Sequence, residues 1–286
     1  MIAYLVLSHH RPEQVLRLLR TLRAGSPAAA LLSHHDNAAP LEPRALASLG
    51  VHSVPARPVT WGWTSQLDAY LRGLRYALER VAFDWLFVLS GQDYPVRPLE
   101  AIEHDLEGDG YVEGIPVAPP PWSRGALDEF ARRYFYRYRP IREPGARGRR
   151  MIAAARPLLV LREMPWGVLL GRRVAAPPIP VRRGADWLTL SRRAVEVVAR
   201  ERPRLLAHFG RTVIPTEAYP HSVLYAEPGL RLSGDTRRFS SWAPGAAHPD
   251  TLTLADLDRV VASGADFARK FDDPRVLDAL DHVVTA

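Results

Sequence analysis

No cysteine occurs among the 286 residues, which excludes disulfides, thiolate nucleophiles and every zinc site that needs sulfur, leaving histidine and carboxylate as the available metal ligands. Lysine is nearly absent as well. Lys270, in "DFARKFDD", is the only one among 38 basic residues, and all the others are arginine. No long apolar run is present: the opening "MIAYLVLSHHRP" is far shorter than a membrane span and lacks a basic leader. It predicts a core strand in a soluble, cytoplasmic chain with no integral membrane segment. Also missing are G-x-G-x-x-G after the first strand, G-x-x-x-x-G-K-[ST] and G-x-S-x-G, so dinucleotide-binding, P-loop and serine-hydrolase readings lose their main support.

What is present is a basic, globular composition, with 47% hydrophobic residues and a formal charge of +7. The excess is local. Residues 124–183 hold fifteen arginines against Asp128, Glu129, Glu143 and Glu163, which suggests a face for an anionic partner. Before that stretch, apolar strand runs alternate with amphipathic helices. "AYLVL" reads as a strand buried on both faces, and "RPEQVLRLLRTL" places Val15, Leu16, Leu18, Leu19 and Leu22 on one stripe behind Pro12. The runs "AAALL", Val51 to Val54 and "DWLFVLS" supply further strands, and "TSQLDAYLRGLRYALERV" supplies a helix with Ser65 and Asp68 at capping-box spacing. The pattern predicts an α/β fold with a mainly parallel central sheet flanked by helices. A single domain over 1–286 is the simplest organisation: an α/β first part (1–114), a variable arginine- and aromatic-rich region of irregular loops (115–185) and a third part (186–286). In the last part Thr253 is a plausible helix cap and Gly264 a stop.

In open α/β sheets ligands bind beyond the carboxyl ends of the strands. The residues there are Ser8, His9 and His10; His34, His35 and Asp36; Trp61, Gly62 and Trp63; and Ser90, Gly91, Gln92 and Asp93. Adjacent strand residues point to opposite faces, so neither histidine pair is naturally bidentate, and no metal is expected. Nucleotide-sugar transferases of the α/β type usually hold a cation through Asp-x-Asp after a central strand. Here that place reads "VLSGQDYP", with one carboxylate, while the literal copy at Asp256 and Asp258 falls in a helical pattern where the side chains diverge.

Taken in order, "IAYLVLSHHRPEQVLRLLRTL", "SHHD", "TWGWTSQLDA", "DWLFVLSGQDYPVRPL", "RRGADWLTLSRRAV", "PTEAYPHSVL", "TRRFSSW" and "DFARKFDD" resemble the motifs of the core-2/I-branching β-1,6-N-acetylglucosaminyltransferase family, which includes the peptide O-xylosyltransferases. The resemblance is to a bacterial member and spans Ile2 to Asp273. "SGQDYP" and "FARKF" are the most specific motifs. Thr216 stands where the family commonly has aspartate, and "WGW" replaces "WGG".

The resemblance implies a GT-A type nucleotide-sugar-binding fold and an inverting, metal-independent transferase with no cofactor, in which 1–114 is the nucleotide-binding half, 115–185 the acceptor region and 186–286 the half with the catalytic base and the diphosphate site. Its donor is a UDP-sugar, UDP-N-acetylglucosamine first and UDP-xylose second, and its acceptor a carbohydrate, peptide or natural product. Glu217 is similar to the family's general base, and Arg238 and Lys270 to its diphosphate ligands, with Arg237 an alternative to Arg238 one residue away. Asp36 resembles the uracil contact, and Ser8, His9, Trp61, Ser65 and Asp93 complete the donor side, Asp93 by ordering the loop below the sugar. Trp122, Tyr136, Trp166, Asp186, Trp187 and Trp242 are candidates for the acceptor, with Tyr134 and Tyr138 as further stacking rings or core. A non-catalytic arginine-rich protein holding nucleic acid or anionic polysaccharide is the alternative from another class. Retention of both Glu217 and Lys270 favours the enzyme and argues against a nucleic-acid partner.

Overall fold

The computed structural model describes residues 1–36, 40–122, 127–246 and 248–285; Asn37 of "SHHDN" and Arg124 of the arginine-rich stretch lie outside them. A seven-stranded sheet forms its centre. Strand β1 (Ile2–Ser8) lies between β2 (Ala30–His35) and β4 (Trp85–Ser90), and β3 (Val51–Ser53) follows β2, all parallel. On the other side of β4, strand Thr189–Ser191 runs antiparallel between β4 and Gly110–Tyr111, and Leu232–Ser233 closes that edge. One reversed strand in an otherwise parallel sheet, flanked by helices, makes a mixed α/β layout with a mainly parallel centre.

The reason for the continuous apolar runs is visible in β1. Ala3 and Leu5 belong to one core cluster while Tyr4 and Val6 belong to the other, so successive side chains fill opposite layers. Helix α1 (Pro12–Gly25) buries Val15, Leu16, Leu18, Leu19 and Leu22, the stripe that the spacing predicts, and Pro12 occupies its first turn. Strand β2 extends further than "AAALL" suggests and takes in Ser33, His34 and His35. His34 is buried and His35 contacts Ser8 Oγ through Nδ1 at 2.8 Å, as alternation requires. His9 and His10, beyond the end of β1, depart from alternation, and their rings stack 4.3 Å apart.

Helix α2 (Thr64–Arg80) begins without the capping box that Ser65 and Asp68 suggest. Ser65 Oγ instead accepts from the Thr60 amide at 2.8 Å, Gln66 Oε1 takes the Gly62 amide at 2.7 Å, and Asp68 pairs with Arg72 at 2.7 Å. The loop before the helix thus uses the side chains that a box would need. Thr253 does cap its helical turn in a box with Asp256, and Gly264 sits at φ 68°, the left-handed stop that glycine allows.

Residues 115–185 are more regular than their composition suggests. Helices Glu129–Tyr134 and Ala146–Ala154 accompany an antiparallel sheet of Tyr136–Ile141, Gly167–Arg173 and Leu159–Met164, the last two joined through Pro165 and Trp166. In "YRYR" the tyrosines are buried and Arg137 and Arg139 exposed, the period of two that defines a half-buried strand. Tyr134, Tyr136 and Tyr138 are therefore core residues. The Tyr136 hydroxyl donates to the Pro157 carbonyl at 2.6 Å, which corrects its assignment to an acceptor.

Candidate active site

A cavity of about 490 Å³ opens at the carboxyl ends of β1, β2 and β4. Of the strand-end residues singled out by sequence, Ser8, His9, His10, His34, Asp36, Trp61, Ser90, Gly91 and Gln92 line it; Glu217, Lys270, Asp186, Trp187 and Trp242 line it too. Gly91 is required by space. A Cβ there would come within 2.8 Å of Val15 Cγ2 and 3.0 Å of Ser8 Cβ. Asp36 is fixed in place, because its Oδ2 accepts from the Val59 amide at 2.6 Å.

Glu217 ends a single 3₁₀ turn, Pro215–Glu217, ahead of helix Tyr219–Ala226. Its Oε2 accepts from Arg133 Nη1 at 2.8 Å, and 29% of its side chain remains exposed. Asp186, on the loop before strand Thr189–Ser191, brings a second carboxylate, with Oδ2 3.5 Å from Gln66 Nε2 and Oδ1 buried without a partner. That loop is held by His221, whose ring lies 2.6 Å from the Glu113 carbonyl and 3.0 Å from that of Ala185. Burial, followed by the charge of Asp186, raises the Glu217 pKa from 4.5 to about 7 against the opposing pull of Arg133 and Arg183. Burial raises Asp186 as well. A carboxylate raised in this way is a stronger base than one in water and is about half ionised at neutral pH.

Lys270 lines the cavity, and among the described residues no carboxylate pairs with it. The cation beside it at the wall is Arg269, which the sequence reading did not select. Arg269 stacks 4.9 Å over the Trp187 ring and its Nε lies 3.0 Å from Asp93 Oδ1. The only signal for it is its place in "FARKF". Arg238 does not reach the wall. It sits in the adjoining strand Arg238–Ser240, opposite Phe267, where Nη2 donates to Thr189 Oγ1 at 3.0 Å and the guanidinium lies 4.7 Å over the Phe267 ring. Its Nε and Nη1 are buried without partners, and desolvation lowers its pKa while Asp93 and Asp266 oppose that shift. Arg237 is occupied elsewhere, with Asp266 at 3.0 Å and Asp105 at 3.6 Å.

Several other positions are corrected by the geometry. Asp93 is buried beneath the site, where its carboxylate accepts from the Ser90 amide at 2.7 Å and Ser90 Oγ at 2.8 Å, so it shapes the turn without facing the cavity. Ser65 caps the Thr60 amide, outside the cavity lining. Trp122 is 74% exposed under the Arg173 guanidinium, away from the cavity, and Trp166 supports the rim by donating Nε1 to the Trp61 carbonyl at 2.9 Å. Arg133, His248 and Gln66 are functional neighbours that only long-range folding brings in. His248 faces the Trp61 ring at 5.7 Å.

The fold and the cavity define an α/β protein in which one cavity brings the carboxylates of Asp186 and Glu217 together with the cations Arg269 and Lys270. Residues 2–114 match the model of the Core-2/I-Branching enzyme family. Xylosyltransferase 2 of Rattus norvegicus is 27% identical over 220 residues, covering 74% of this chain and 21% of that protein. The Beta-glucuronosyltransferase GlcAT14A of Arabidopsis thaliana is 36% identical over 107 residues, 34% of this chain and 24% of that protein. The chain thus spans about a quarter or less of the length of these relatives. Among solved structures, the galactosyltransferase LgtC with donor and acceptor sugar analogs aligns over 100% of this chain and 97% of that one at 11% identity and a TM-score of 0.41, too slight a likeness to carry an argument. Among the described residues no helix is long and apolar enough to cross a membrane.

Proposed function

We propose that the chain is an inverting glycosyltransferase that moves a sugar from a UDP-sugar to an acceptor hydroxyl without a divalent metal. The observation that carries this reading is the single cavity that holds Glu217, Asp186, Arg269 and Lys270 together. In the reaction the Glu217 carboxylate takes the proton of the acceptor hydroxyl as its oxygen bonds to the anomeric carbon. The bond from that carbon to the diphosphate breaks on the opposite face, and UDP leaves with the electron pair. Charge grows on the leaving oxygen, and fixed cations in an enclosed site stabilise it more in the transition state than in the ground state. Lys270 offers a compact charge there, and Arg269, held by Asp93, a planar one. Arg238 supports from behind through the strand pair with Phe267.

N-acetylglucosamine is the first donor sugar on the resemblance of the motifs, and the xylosyltransferases among the relatives favour xylose as the second reading. The test is UDP release from UDP-N-acetylglucosamine, UDP-xylose and UDP-glucuronate in EDTA, repeated with Glu217→Gln. Release from at least one donor is expected, falling about 100-fold or more in the variant. If no donor is turned over, or if the variant matches the parent, the reading fails.

A further inference from the structure

A second recess, of about 450 Å³, lies between helices Glu129–Tyr134 and Ala146–Ala154 and strand Leu159–Met164, and it shares no lining residue with the first. Four arginines line it, Arg132, Arg149, Arg156 and Arg162, against Glu129 and Glu163, over an apolar floor that includes Ile152 and Val160. Two arginines are partly or wholly engaged by acids. Arg149 holds Glu143 and Glu163, the latter at 2.8 Å, and Arg162 Nη2 holds Glu129 at 2.7 Å. Arg162 Nε, however, is buried with no hydrogen-bond partner. Arg132 gives Nη2 to the Leu161 carbonyl at 3.0 Å and is 4.0 Å from Glu129. Among the described residues no side-chain hydrogen bond or ion pair holds the Arg156 guanidinium.

The wall of the recess carries two more positive than negative charges, and the Arg156 guanidinium stands on it with no engaged partner among the described residues. We propose that this recess is a binding site for a phosphoryl or sulfo group, held by Arg132, Arg156 and Arg162. A phosphate monoester carries roughly −1.5 to −2 charges near neutral pH and three acceptor oxygens, which balances the excess and matches the forked donors. The volume exceeds such a group, so it accommodates one carried on a larger molecule. Glu129 also holds Arg133 at 3.1 Å, and Arg133 holds Glu217, so an anion that draws Arg162 from Glu129 acts on the ion-pair chain leading to the first cavity. The binding site itself does not rest on the transferase reading.

Isothermal titration of the full chain at low ionic strength, with phenyl phosphate and with inorganic phosphate, tests the proposal. Millimolar or tighter binding is expected in the wild type and in Lys270→Ala alike. Arg156→Ala and Arg162→Gln should each weaken it by about tenfold or more, as loss of a charge-assisted contact does. Among the described residues Arg156 has no side-chain partner whose loss could unfold the chain, and circular-dichroism melts check both variants. Tighter binding of phenyl phosphate assigns the group to an ester on a larger molecule, and equal binding assigns it to the free anion; both support the site. Binding that is lost in Lys270→Ala but kept in Arg156→Ala belongs to the other cavity and overturns the proposal. So does an absence of heat at millimolar phosphate.

Discussion

Glu217→Gln has a consequence for stability that needs no substrate. In the folded chain the carboxyl titrates at about 7 instead of its ordinary 4.5, because ionising it means placing a charge beside Asp186 with little solvent. Below pH 4.5 the group is protonated in both states and contributes no difference. Between 4.5 and about 7 the unfolded chain ionises while the folded one resists, so stability falls as pH rises, and above 7 the cost is complete. A rise of about 2.5 units at roughly 1.4 kcal/mol each amounts to about 3 kcal/mol. Glutamine is close in shape to the protonated acid and cannot ionise. The variant should therefore exceed the parent by a little under ~1 kcal/mol at pH 5 and by about 3 kcal/mol at pH 8, the latter roughly 6–12 °C in melting temperature. Urea denaturation of both proteins at the two pH values measures the difference, in which all other titrating groups cancel to first order. Parallel stability profiles would refute the argument, and with it the claim that Glu217 is a strengthened base.

Lys270→Ala should leave the fold intact by circular dichroism, since no ion pair is lost, and lower UDP release by about 100-fold or more, with partial rescue by magnesium; an unchanged rate removes Lys270 from the site. Asp93→Asn strips the charge that faces Arg269 at 3.0 Å beneath Ser90 and should cost about 3 kcal/mol in urea denaturation at pH 7, where no change would show that the pair is dispensable. Gly184→Ala would place a Cβ against the His221 ring and 2.7 Å from Glu113 Cβ, which predicts a loss of about 1–3 kcal/mol in a melt. UDP release should fall with it as Asp186, two residues on, is displaced, and retention of both properties would show that this loop yields easily.

The β-α alternation of the first hundred residues was legible because each element announces its own period: β1 fills both layers and α1 buries the stripe that its spacing marks. The antiparallel sheet in residues 136–173 was less so. Its alternation is written in tyrosine and arginine, residue types that also suggest a binding surface, and only packing shows that the rings face inward. At the site, Glu217 and Lys270 were legible through their motifs. Arg133 was not, because it meets Glu217 across 84 residues of chain, a pairing that no local pattern encodes.

Strand and helix periods, the absence of cysteine and of the common phosphate-binding motifs, and the lone lysine are properties of the chain read locally, and they determined the fold class and singled out Lys270. Which cations stand at the wall was decided by the tertiary structure. Strand pairing sets Arg238 opposite Phe267 and beneath the surface, while Arg269 and Lys270 reach the cavity. The elevated base is likewise a property of the folded state, since desolvation and the approach of Asp186 exist only once distant segments have packed around Glu217.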